Sequence, residues 1–246
     1  MVEILLNAFL GGLACLAATG LGAMIAFSKT TMTGKKLDFF FGFSIGIMMA
    51  ASFFSLLQPA VETGGVLTSS IGFLAGSLLM YGSDIFIPHE HPLETGWESE
   101  KPGRLTKIIA AVTLHNLPEG FSIGVVFGSG NIKAAWGLTV GIALQDFPEG
   151  ASVSIPFLKL GKSKERAVLL GVLSGVVEPL GALLSSVLVH SFQWLLPFSL
   201  SFGAGAMIYV IGSEMIPEAH SSGFGKDTML FMVLGFIIMM ILDALL

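Results

Sequence analysis

This sequence predicts an all-α, polytopic membrane protein of eight transmembrane helices, with both termini outside the cytoplasm and one domain spanning residues 1–246. Three observations carry that expectation. Of the 246 residues, 53% are hydrophobic and 12% charged, with a mean hydropathy of +0.84; a soluble domain has about 25% charged residues. Charges and turn residues divide the chain into eight apolar stretches of spanning length, joined by short connections. Eleven of the twelve lysines and arginines fall on one side of the resulting weave, and the positive-inside rule makes that side cytoplasmic.

Helix 1 is expected over Val2–Phe27. Its start carries Glu3 and no basic residue, and the apolar run is too long for the core of a removable signal. Cys15 is the sole cysteine and reads as a small buried residue, leaving no intrachain disulfide or thiolate cluster. Helix 2, Leu37–Leu57, follows Lys29, Lys35 and Lys36; helix 3, Val66–Ile87, precedes Lys101, Arg104 and Lys107. Helices 4 and 5 span Leu105–Phe127 and Ala134–Leu158, with Lys133 the one base on the outer side. Lys159, Lys162, Lys164 and Arg166 then lead into helix 6, Ala167–His190, and Lys226 separates helix 7, Phe192–Glu214, from helix 8, Thr228–Leu246. Trp136 and Trp194 open helices 5 and 7 as interface anchors. Glycines four apart (Gly42/Gly46, Gly72/Gly76, Gly137/Gly141, Gly171/Gly175) allow close helix approach.

Two hexads interrupt this apolar pattern: His115-Asn116-Leu117-Pro118-Glu119-Gly120 on helix 4 and Gln145-Asp146-Phe147-Pro148-Glu149-Gly150 on helix 5. An ionisable group at the centre of a membrane helix costs roughly 2.5–3.5 kcal/mol on insertion scales. Three such groups beside a histidine and two amides therefore call for a positively charged occupant. Counted from the nearest cytoplasmic base at about 1.5 Å per residue, His115, Glu119, Gln145, Glu149, Glu178 of helix 6 and Met48 of helix 2 all fall near the midplane of a hydrocarbon core about 30 Å thick. His115, Asn116 and Glu119 share a helix face by their i,i+3 and i,i+4 spacing, and Gln145, Asp146 and Glu149 repeat the arrangement. Pro118 and Pro148 each remove a backbone donor and are expected to bend their helices. Because helix 4 runs outward and helix 5 inward, the hexads form an inverted-repeat feature of the kind that brackets midplane sites.

Imidazole, carboxylate, amide oxygen and thioether together suit a divalent transition-metal cation. Glu119 and Glu149 could each bridge two ions, with His115 and Gln145 on one side and Asn116, Asp146 and Glu178 on the other. A polar network that only ties helices together competes with this reading, and packing competes with ligation for Met48, which precedes Met49 in an apolar pattern.

The hexads, with Glu178-Pro179 on helix 6, resemble the motifs of the ZIP (Zrt/Irt-like) divalent metal transporter family, most like its bacterial GufA-type branch, and the resemblance extends over the whole chain. It implies a two-metal site built from His115, Asn116, Glu119, Gln145, Asp146, Glu149 and Glu178, with zinc the foremost substrate and cadmium, iron or manganese as others. Gln145 stands where many eukaryotic members have histidine, which separates this chain from a simple zinc expectation. Near the cytoplasmic face, Asp84, His89 and His91 after helix 3, and Glu214, Glu218 and His220 after helix 7, could receive a departing ion. An ordinary solvated helix end is the competing reading for the histidines.

The expected activity is secondary transport into the cytoplasm across the cell (inner) membrane, with the metal as substrate and no cofactor. No phosphate-binding glycine loop occurs, so no nucleotide partner is expected, and none of nucleic acid. The partners are divalent metal ions and the lipid bilayer, with a homodimer left open. The competing class is an intramembrane metalloenzyme using a metal-activated water. His-Glu-x-x-His is absent, and so many carboxylates leave little open coordination for water. A metal sensor, the third class, would need a signalling domain.

Overall fold

The computed structural model describes residues 1–27, 35–86, 104–159, 161–221 and 225–246. Among them the backbone is almost entirely helical, with no strand. Helices α1 (Val2–Ala23), α2 (Lys35–Ala50), α3 (Gln58–Phe86), α4 (Arg104–Gly128), α5 (Ile132–Lys159), α6 (Lys164–Gly175), α7 (Val177–Ser191), α8 (Leu196–Val210), α9 (Ile216–Ser221) and α10 (Lys226–Leu245) follow in order. Five stretches are long and apolar enough to cross a membrane: Val2–Phe27, Phe39–Phe86, Lys164–Ser191, Gln193–Met215 and Lys226–Leu245. α4 and α5, at 25 and 28 residues, have the length but carry the polar hexads. The chain is a polytopic helical membrane protein. Its outer faces expose Leu67, Ile71, Leu74, Leu184 and Leu230, while Asn116, Glu119, Gln145, Asp146 and Glu178 lie inside.

The helices sort into two groups. α1 packs on α5 and α7, and α4 packs on α7; α3 packs on α8, and α2 on α10. Contacts of α2 with α5 and of α4 with α8 join the groups. Small residues make these approaches possible. A Cβ on Gly76 would meet the Phe202 backbone of α8, and one on Gly46 the Met232 backbone of α10. The other predicted glycine pairs are used in the same way, Gly171 against Ala23 of α1 and Gly141 against Met239 of α10.

Three boundaries differ from the sequence expectation. The gap expected between helices 2 and 3 is helical through Gly64. Thr63 Oγ1 donates to the Pro59 carbonyl at 2.7 Å and Gln58 Nε2 to Glu62 at 2.9 Å, holding the turn closed. The break comes at Gly65 instead, whose φ of 74° and ψ of 168° leave the helical region, a conformation that glycine adopts without a Cβ penalty.

Predicted helix 6 is two helices that meet at Val176, whose amide turns back to Leu173 O at 3.3 Å. Pro179 supplies no amide for the Gly175 carbonyl, and this is where the ladder shifts. By contrast, α4 and α5 run through Pro118 and Pro148 without interruption.

Two π-helical turns, Ala51–Leu57 and Ile211–Met215, also went unforeseen. Each ends two residues before a proline, Pro59 and Pro217, with the Gln58 amide bonded to Phe53 O and that of Ile216 to Ile211 O. Widening the turn relieves the clash between a proline ring and the carbonyl four residues back.

Candidate metal centre

The i,i+3 and i,i+4 spacing within each hexad sets three polar side chains on one face of α4 and three on one face of α5. The break at Val176 starts a fresh helix whose second residue is Glu178. Pro179 on that first turn lies against Gly12 of α1, where a Cβ would overlap its backbone. Gly120 of α4 likewise lies against the Glu178 backbone. Small residues on both neighbours thus admit the head of α7 between α1 and α4.

The polar groups gathered there are fully enclosed. Asn116, Gln145, Asp146 and Glu178 are 0% exposed and Glu119 1%. Gln145 Nε2 donates to Glu119 Oε1 and, at 2.6 Å, to Asp146 Oδ1. Asn116 Nδ2 donates to Glu178 Oε1 at 2.8 Å, and Thr19 Oγ1 of α1 lies 3.3 Å from the same oxygen. Each side chain is therefore fixed through one atom, and in each another oxygen is left over. Asn116 Oδ1, Glu119 Oε2, Gln145 Oε1, Asp146 Oδ2, Glu149 Oε1 and Glu178 Oε2 are buried acceptors with no donor. Carboxylate oxygens of Glu119, Asp146 and Glu149 lie within 4.8 Å of one another. Among the described residues no lysine or arginine pairs with these acids. Buried carboxyl groups, anchored but without a lysine or arginine partner, are the electrostatic complement of a cation.

His115 is directed elsewhere. Its Nε2 meets the carboxylate of Glu214, on the second π turn. Sequence reasoning put Glu214 with the exit residues at the cytoplasmic end of helix 7, separate from the midplane group. The structure joins it to His115, from the π turn that follows α8, a helix that α4 contacts. Asp84 accepts from Tyr209 Oη at 2.7 Å. Met48 is buried within the large apolar core, its carbonyl accepting from Ser52 Oγ at 2.7 Å. His89 and His91 lie outside the described residues, as do the side chains of Glu218 and His220.

Two residues of α1 were missed. Thr19 touches Glu178, and the Cys15 sulfur lies within 4.8 Å of ligand oxygens of both Asp146 and Glu178. A signal for them exists in the sequence. Ala8, Gly11, Gly12, Cys15, Thr19, Gly22 and Ala23 recur at helical spacing as one buried small-residue face, which brings α1 unusually near whatever it packs against.

A family model described as ZIP Zinc transporter matches residues 104–243, which include both hexads and Glu178. Zinc transporter ZIPB of Bordetella bronchiseptica is 39% identical over 96% of this chain and 80% of its own length. Zinc transporter GufA of Myxococcus xanthus is 34% identical over 92% and 93%, and human zinc transporter ZIP11 is 31% identical over 97% and 96%. With the family model spanning more than half of the chain and relatives above 30% identity along nearly all of it, the chain belongs to the ZIP zinc transporter family.

Proposed function

We propose that this protein carries zinc, and with it other divalent transition-metal ions, across the cell (inner) membrane into the cytoplasm, through a two-metal site at the bilayer midplane. One observation carries the reading: six buried oxygens without donors converge from α4, α5 and α7, beside acids with which no lysine or arginine pairs among the described residues. Glu119 and Glu149 act as the shared carboxylates. His115 and Gln145 complete one subsite, with Met48 if its sulfur turns inward; Asn116, Asp146 and Glu178 complete the other. Family membership and relatives named zinc transporters support the choice of ion. The basic-residue asymmetry supports eight spans with both termini outside. Phe39–Phe86, at 48 residues, counts as two of them, since about 20 residues cross a bilayer. Asp84, His89, His91, Glu214, Glu218 and His220 form the cytoplasmic way out. The metal is substrate, and no cofactor is needed.

In chemical terms the ion exchanges its hydration shell for carboxylate, amide and imidazole donors. Protons on those donors are displaced as it binds. The test is metal accumulation by liposomes containing the purified protein, with no other substrate added. Zinc uptake above that of empty liposomes supports a transporter. Zinc binding without accumulation would turn the reading toward a metal-dependent enzyme.

A further inference from the structure

We infer that Cys15 is a sulfur donor of the Asp146–Glu178 subsite, giving it a preference for thiophilic ions such as cadmium that its oxygens alone would not have. This deepens the transport reading and rests on it. The geometry comes from three independent contacts of α1. Gly12 lies against the Pro179 backbone, and Thr19 lies 3.3 Å from Glu178 Oε1. Cys15, about one turn from each, is therefore on the strip of α1 that faces the head of α7. Its Sγ is also 3.7 Å from the Thr139 carbonyl, which turns it toward α5, and lies within 4.8 Å of ligand oxygens of Asp146 and Glu178.

The surroundings point to a ligand rather than to packing alone. Asp146 Oδ1 is occupied by Gln145 and Glu178 Oε1 by Asn116, whereas Asp146 Oδ2 and Glu178 Oε2 have no donor. Both residues are fully buried, as is Cys15. A thiol enclosed by two acids with unengaged oxygens can complete a mixed sulfur–oxygen set around one ion. Oxygen donors discriminate poorly among divalent metals, whereas sulfur favours soft ones. On ligation the S–H bond breaks as the S–metal bond forms, and the proton passes to a carboxylate oxygen that the ion does not hold.

Because the chain has a single cysteine, any thiolate-to-metal signal belongs to Cys15. The experiment titrates purified protein with Co2+ and reads sulfur-to-cobalt charge-transfer absorption. It also measures zinc and cadmium uptake by liposomes containing wild type, Cys15→Ser or Cys15→Ala. Wild type should show the band and both variants should lack it. The cadmium-to-zinc uptake ratio should fall by about tenfold in each variant, reflecting loss of the one soft donor. Cobalt binding by wild type without the band, or unchanged ratios in the variants, would overturn the inference while leaving transport intact. Failure of wild type to bind or move any of these metals would remove the transport reading and this inference together.

Discussion

The two ends of the polar cluster are built differently. At one end Cys15, Thr19, Asn116, Asp146 and Glu178 come from α1, α4, α5 and α7, helices that pack directly on one another. At the other, His115 of α4 meets Glu214, which lies on a π turn following α8 in the other helix group. The first end is closed within a single packed unit. The second crosses between units, so a shift of one group against the other would alter the His115–Glu214 pair and leave the first end's geometry alone. Two similar-looking hexads thus serve unlike surroundings. The contrast is one of geometry: the first end keeps its arrangement within one group, and the bridging end changes with any movement between the two.

The severest way to break this comparison is to remove what both ends share. Glu149→Ala should abolish zinc uptake while leaving membrane insertion intact, because the remaining donors lose their charge compensation. Wild-type uptake by that variant, measured beside its membrane abundance, would end the shared-carboxylate account.

Next in size is the bridging end. A carboxylate that orients a metal-binding histidine is typically worth 10–100-fold in affinity or activity. Glu214→Gln should therefore weaken zinc uptake by about that factor, with Glu214→Asp recovering part of it. An unchanged uptake rate would show that the pair has no part in the cycle.

The comparison is sharpened by proton competition. Zinc must displace protons from its donors, so apparent zinc affinity should weaken as pH falls from about 7 toward 5, the range in which an ordinary imidazole also charges. The sign follows from mass action: more protons, less metal bound. Uptake titrations at several pH values that gave one flat affinity would contradict it.

Smaller still are the effects expected within the subsites. Gln145→His should shift selectivity toward zinc, since imidazole nitrogen is a better zinc ligand than amide oxygen. Glu178→Gln should keep transport and alter its rate or pH dependence. Zinc uptake measured against cadmium and iron at one pH would show the subsites to be reversed if only the second variant moved the ratios.

How much of this was legible in the sequence depended on contrast. Glu119, Asp146 and Glu149 stand out because an acid in an apolar run has no cheap explanation in a membrane. Glu178 was found for the same reason. Cys15 was not: a thiol among alanines and glycines looks like any small residue, and its meaning appears only when Gly12 and Thr19 fix which way α1 faces. Glu214 was seen, but its pairing with His115 was not, because that contact depends on the π turn at Ile211–Met215. The proline that induces that turn lies two residues beyond the turn's last member. The ladder shifts at other prolines were not foreseen either. Pro118 and Pro148 sit in uninterrupted helices, whereas the ladder changes near Pro59, Pro179 and Pro217. Which proline a helix absorbs is decided by its neighbours in the fold, and local sequence does not contain them.

The most direct test of the account is the number of zinc ions bound at equilibrium by purified protein, wild type against the double variant Asp146→Asn/Glu178→Gln. Two subsites sharing Glu119 and Glu149 predict two ions for wild type and one for the variant, retained at the His115 end. A single ion in wild type, or two still bound by the variant, would contradict it.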